Sequence, residues 1–158
     1  MISKKIKYTD YNGVEREENF LFNLSKAELM EMEMGTTGGM AETIQKIIEV
    51  KDTPSIIKIF KDLILKAYGE KSADGKRFTK IDSSGNPLSI AFSETEAYSV
   101  LFMELATNTQ SAIDFIKGII PSDLEIPEEE VKKLTNGIGG VENVGIQGVE
   151  NVNNQSTV

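Results

Sequence analysis

At Ser25 the chain changes its hydrophobic period from two residues to roughly three and a half, and that change limits what it can become. Before it, Ile6 and Tyr8 alternate with lysine and threonine, Asn12-Gly13 supplies a tight turn, and Val14 to Phe22 returns with period two. Phe20, Phe22 and Leu24 share one face of that return. The spacing predicts an N-terminal β-hairpin. Ser25-Lys26-Ala27-Glu28 then has the form of a capping box, in which the serine oxygen accepts a backbone N–H and the glutamate reaches back.

From Lys26 to about Met34 the pattern predicts a helix, broken by Gly35, Gly38 and Gly39. A second helical pattern follows from Met40 through Ile44, Ile47 and Ile48 to about Val50. Thr53-Pro54 is a start signal for a third, running to Tyr68 and stopped by Gly69. Its Ile56, Ile57, Phe60, Leu63, Ile64 and Ala67 form a wide apolar stripe, while Lys58, Lys61, Asp62 and Lys66 lie mostly elsewhere, as expected of the central core helix. Residues 70–87 are polar and loop-like, with turns at Asp74-Gly75 and Ser83-Ser84-Gly85-Asn86-Pro87. Leu88 to Phe92 starts a helical stretch. Ser93 and Glu96 repeat the capping-box spacing ahead of Ala97, Tyr98, Leu101, Phe102 and Leu105, and a last helix begins near Thr109 with Ile113, Phe115, Ile116 and Ile119. The fold class expected is α+β, mainly α: an N-terminal β-hairpin, about five short helices and a disordered acidic tail.

Charge divides the chain near Pro121. Residues 1–120 carry 18 acidic and 15 basic side chains, whereas 121–158 carry 7 acidic and 2 basic. That tail ends in two copies of an octet, Gly140 to Gln147 and Gly148 to Gln155, with scattered valines and no aromatic residue. Such a segment cannot bury enough apolar surface to offset an ordering cost of about 1–2 kcal/mol per residue. Two copies are too few for a stacked solenoid. We therefore expect a helical domain with its hairpin over 1–121 and an acidic tail, rich in glycine, asparagine and valine, over 122–158.

Composition closes several functional classes. The 158 residues include no cysteine, histidine or tryptophan, which removes disulfides, thiolate and imidazole ligands and the side chain best suited to proton transfer near neutral pH. A formal net charge of −8 repels phosphate backbones and anionic lipid, so neither nucleic acid nor membrane is an expected partner. No apolar run approaches the ~20 residues a bilayer needs, and the start leads into a polar strand pattern rather than a signal peptide. Asp10, Asn12 and Gly13 mimic part of a calcium loop, but Tyr8 and Asn19 occupy its end positions. Gly69-Glu70-Lys71-Ser72 ends like a phosphate loop without the earlier glycine. Glu94, Glu96 and Glu104 are better explained by the helix dipole and a solvated face than as catalytic carboxylates. No catalysis, cofactor or metal is expected.

Four of the six methionines, Met30, Met32, Met34 and Met40, surround the glycine-rich break. Met30 and Met34 share a helical face and Met32 points elsewhere, so not all can enter one core. Methionine is flexible and polarizable and recurs on surfaces that adapt to many apolar partners. Met30, Met32, Met34, Met40 and Ile44 are thus candidates for a partner-binding groove, competing with a plain role as core filler. Tyr98 and Phe102, beside Leu101 and Leu105, form a second candidate patch for which a core helix is the simpler account.

The segment Tyr11 to Leu29, Y-N-G-V-E-R-E-E-N-F-L-F-N-L-S-K-A-E-L, resembles the opening of tail assembly chaperones of long-tailed, siphovirus-type bacteriophages of Gram-positive hosts. Ile57 to Asp62, Leu65 to Ser72, the turn Asp74 to Phe78, and Thr95-Glu96-Ala97-Tyr98 through Phe102 to Ala106 fit the same resemblance, which spans roughly residues 4–121 and leaves the octets without a counterpart. It implies a non-catalytic factor in the host cytoplasm, absent from the mature virion. Such a factor binds the tape measure protein and keeps it soluble while tail tube subunits assemble around it. The tail tube protein and further copies of the chain are additional candidate partners. Two readings compete with it: a structural virion component such as a head–tail connector or tail subunit, from the hairpin's capacity to add to a neighbour's sheet, and a small carboxylate–magnesium enzyme, from the acid count alone.

Overall fold

The computed structural model describes residues 1–39 and 53–123, together with Glu129 and Lys132. The hairpin is present: β1 (Ile2–Thr9) pairs antiparallel with β2 (Glu15–Phe22) from Ile2 opposite Phe22 to Thr9 opposite Glu15. Its turn is closed by Asp10, whose Oδ1 accepts from Asn12 N at 2.9 Å and Val14 N at 3.0 Å while Oδ2 accepts from Arg16 Nε at 2.9 Å. Gly13 takes φ 79°, a left-handed conformation that costs glycine little. The residues that suggested a calcium loop are thus occupied in the turn. Those backbone N–H bonds, with the Arg16 guanidinium, hold the Asp10 carboxyl below its ordinary pKa.

Among the described residues five helices follow: α1 (Lys26–Met34), α2 (Thr53–Ala67), α3 (Leu88–Ser93), α4 (Glu96–Thr107) and α5 (Thr109–Ile119). The helical pattern at Met40 to Val50, and the tail beyond Asp123 save for Glu129 and Lys132, lie outside the described residues. The expected capping box is formed, with Glu28 N donating to Ser25 Oγ at 3.2 Å and Ser25 N donating to Glu28 Oε2 at 2.8 Å. The one expected at Ser93 is not. α3 runs on to Ser93, and Thr95 instead caps α4, its hydroxyl accepting from Tyr98 N at 3.2 Å.

The loop expected over residues 70–87 contains strands. α2 stops at Ala67, one residue before the expected end, and the chain passes directly into β3 (Tyr68–Lys71), which pairs with β4 (Phe78–Thr79). β3 also pairs with β2 through Leu21 opposite Gly69 and Phe22 opposite Tyr68, so the hairpin becomes a four-stranded sheet in the order β1-β2-β3-β4. Gly69 is therefore a strand residue and not a helix stop. A Cβ there would lie 2.5 Å from Phe78 Cε1 and 2.7 Å from Thr79 O, so only glycine lets β4 come this close. The expected turns remain on either side of β4, at Gly75 (φ 71°) and Gly85 (φ 86°).

The core lies between the even-numbered face of the hairpin and the helices. Ile6, Phe22 and Leu24 come from the sheet side. Ile56, Phe60, Leu63, Ile64 and Ala67 come from α2, Phe92 from α3, Leu101 and Leu105 from α4, and Phe115 and Ile119 from α5. At about 1.5–3 kcal/mol for each large side chain removed from water, α2 supplies a leading share of the folding drive. Its Lys58, Lys61, Asp62 and Lys66 stay exposed, and Ile57 is half-buried. Aromatic rings bridge the layers. Tyr68 stacks on Phe92 at 4.2 Å between centroids, and Phe22 meets Phe115 edge-on at 5.2 Å. α4 runs antiparallel along β1, since Glu96 at its start interacts with Tyr11 and Glu104 near its end holds Lys4 Nζ at 3.0 Å.

Candidate functional site

Helix α1 differs from its neighbours in having no buried residue. Its sequence Lys-Ala-Glu-Leu-Met-Glu-Met-Glu-Met alternates charge and thioether instead of concentrating apolar side chains on one stripe, so it cannot sink a face into the core. Met30 is 65% exposed and Met34 80% exposed; four residues apart, they stand on one face. Met32 points the other way, half-buried against the core beside Leu29. Met40 and Ile44, the remaining members of the expected groove, lie outside the described residues.

What holds α1 in place is mostly polar. Lys80 Nζ donates to Glu28 Oε1 at 2.6 Å, to Asn23 O at 2.8 Å and to Lys66 O at 2.8 Å, joining the first turn of α1, the β2–α1 link and the C-terminal end of α2. Its cation also neutralises the negative end of the α2 dipole. Partial burial works against ionisation of Glu28, but the Lys80 ammonium and the Ser25 N–H outweigh it and hold the carboxyl below its ordinary pKa. Lys26 adds an exposed ion pair with Asp123. Past the helix, Gly35 N donates to Glu31 O at 2.8 Å, and Gly38 and Gly39 take φ of 81° and 85°. The glycine-rich break predicted after α1 is thus a turn over residues 35–39.

Tyr98 and Phe102 are brought together, but elsewhere. Phe92 meets Tyr98 edge-on at 5.7 Å and Tyr98 tilts against Phe102 at 6.0 Å, both half-buried on the rim of the core. Desolvation there, with Asp62 nearby, raises the Tyr98 pKa. α1 and α4 share no extended packing, so the methionine face and the Tyr98–Phe102 pair are not one groove. Exposed apolar side chains also occur at Val100 and Met103 on α4, Ile81 and Ile90. They were not anticipated. Position relative to the Ala97, Leu101 and Leu105 stripe is the signal that finds the two on α4: Val100 falls one residue before Leu101, and Met103 falls two residues from both Leu101 and Leu105, nearly on the opposite face.

The described residues contain no group of three or more acidic side chains arranged to hold a metal ion, and no helix among them is long and apolar enough to cross a membrane. Among the described residues, shallow hollows open on the sheet. One, of about 460 Å³, lies at the hairpin tip among Lys7, Tyr8, Thr9, Glu15, Arg16 and Glu17. Another, of about 430 Å³, opens where β2 and β3 diverge. Both are lined largely by charged side chains and strand backbone.

The family model for phage tail assembly chaperones matches residues 1–156. That match runs past the segments that carried the resemblance and takes in both octets. No curated protein and no solved structure matches the chain. With nearly the whole length covered, the chain belongs to the phage tail assembly chaperone family.

Proposed function

We propose that this chaperone binds the tape measure protein through the exposed face of α1 and keeps it soluble while tail tube subunits assemble around it. The observation that carries the proposal is the exposure of Met30 and Met34 on a helix with no buried residue. A tape measure presents apolar residues at helical spacing, and two flexible thioethers one turn apart can pack against such a ridge without demanding one sequence. Met40 and Ile44 would extend that surface, while Met32, turned toward the core, would support the helix from behind. Tyr98 and Phe102, half-buried on another element, would form a separate and weaker contact.

Each contact is small, so occupancy comes from many copies along one long client. The net charge of −8 keeps such a crowded complex soluble and holds client-free copies apart. The role makes and breaks no covalent bond. Residues 1–121 act as the binding unit and 122–158 as an acidic appendage, and the protein works in the host cytoplasm and leaves before the virion is complete.

Co-expression with the tape measure protein of the same phage tests the proposal. Its soluble yield should rise several-fold with the chaperone present, and an unchanged yield refutes it. Mass spectrometry of purified virions should find no stoichiometric copy of the chain; finding one would favour a structural virion component instead.

A further inference from the structure

Beyond the methionine face, one edge of β2 has no partner strand among the described residues. Asp10 N donates to Val14 O at 2.9 Å, which sets the phase of the hairpin ladder. Bonded and non-bonded pairs alternate in an antiparallel ladder, so Thr9/Glu15, Lys7/Glu17 and Lys5/Asn19 are the non-bonded pairs. The backbone N–H and C=O groups of Glu15, Glu17 and Asn19 therefore point away from β1. Leu21 has the same parity, and through it β2 reaches Gly69 of β3. β3 then turns off toward β4, leaving the 430 Å³ notch lined by Glu18, Asn19, Phe20, Leu21 and residues 68–71. Among the described residues no strand pairs with Glu15 to Phe20 on that side.

We propose that this edge receives an extended, lysine-bearing segment of another protein as an added strand. Six residues of β2, Glu15 to Phe20 and about 20 Å of backbone, are available to it. The charges set its chemistry. Glu15, Glu17, Glu18 and Glu70 flank the edge and the notch, against Arg16 and Lys71. A strand alternating lysine with an apolar residue would set its cations beside Glu15 and Glu17 and its apolar side chains over half-buried Phe20 and Tyr68, whose rings stand 6.4 Å apart. β1 already shows that β2 accepts this pattern, since Lys5 and Lys7 both reach Glu17 from the other side. A second copy of the chain is the poorer occupant. Its net charge repels this one, and its Lys4, Lys5 and Lys7 are engaged with Glu104 and Glu17.

The probe is a blocked octapeptide of alternating lysine and valine, with a glutamate–valine peptide as its control, added to the full chain while amide exchange is followed residue by residue. The lysine peptide should slow exchange at Glu15, Glu17 and Asn19, and the acidic one should not. Asn19→Pro removes an outward donor without touching the β1 ladder and should abolish that protection. Glu15→Lys, an exposed change that breaks no ion pair among the described residues, should weaken binding about threefold to fivefold. Melting curves check that both variants fold. Protection elsewhere, equal binding of the acidic peptide, or undiminished binding by both variants overturns the proposal. Protection that appears without peptide and grows with protein concentration overturns it too, by naming a second copy as the occupant. The tape measure solubility test does not involve this edge, so the two readings fail separately.

Discussion

Lys80 shows how one side chain can set the position of a helix. Its ammonium carries three hydrogen bonds and sits 5.7 Å from the centre of the Phe78 ring. Replacing it by methionine keeps the aliphatic stem but removes the Lys80 donor from two carbonyls and from Glu28 Oε1, leaving the Glu28 carboxylate its bond from Ser25 N. We expect a loss of about 1–3 kcal/mol, read as a lower melting temperature. The sign of the pH effect follows from Glu28. Its folded pKa lies below the ordinary carboxylate value, so the stability it contributes is fully present above the unfolded pKa and is lost as pH falls through the folded one. Acid titration of the wild type should therefore show a stability loss just below the ordinary carboxylate range that Glu28→Gln reduces. If the two proteins lose stability in parallel, the Lys80–Glu28 contact contributes nothing measurable.

Among the elements, those with a strong local signal were legible and those decided by distant partners were not. The hairpin, its Asn12-Gly13 turn, the Ser25 capping box and the stripe of α2 all follow from residues within a turn of one another. β3 and β4 do not. Tyr68-Gly-Glu-Lys and Phe78-Thr are short and polar, and they are strands because Phe22 and Leu21 offer an edge some 47 residues earlier in the chain. Gly69 shows the difference well. A helix-stop and a strand glycine look alike in sequence, and only the approach of Phe78 separates them. Gly69→Ala should accordingly cost about 1–3 kcal/mol by overpacking, although alanine suits either neighbouring element better by propensity. Differential scanning calorimetry decides this, and an unchanged or raised melting temperature would show that β4 yields freely. Gly118 carries the same constraint in α5, where a Cβ would stand 2.7 Å from Ile2 Cδ1.

At the scale of the whole molecule, the two candidate patches make opposite predictions, because one sits outside the core and the other on its rim. Of the methionine cluster the faces were legible and the exposure was not: the i, i+4 spacing of Met30 and Met34 put them on one face and Met32 on another, as found, but core filling competed with an exposed groove until α1 was seen to have no buried residue. That Tyr98 and Phe102 lie apart from them was not, since a sequence carries no distance between helices. Met30→Glu with Met34→Glu changes two exposed side chains, so melting should move by no more than about 0.5 kcal/mol for each. The soluble yield of co-expressed tape measure should nevertheless fall toward its value without chaperone, because two carboxylates now meet an apolar ridge. Phe102→Ala should do the reverse. It removes a ring packed against Tyr98 and the core, lowers stability by about 1–3 kcal/mol, and leaves the yield at permissive temperature largely intact. If the glutamate variant protects the client as well as wild type while Phe102→Ala does not, binding belongs to α4, and the exposed Val100 and Met103 beside Phe102 become the surface to test.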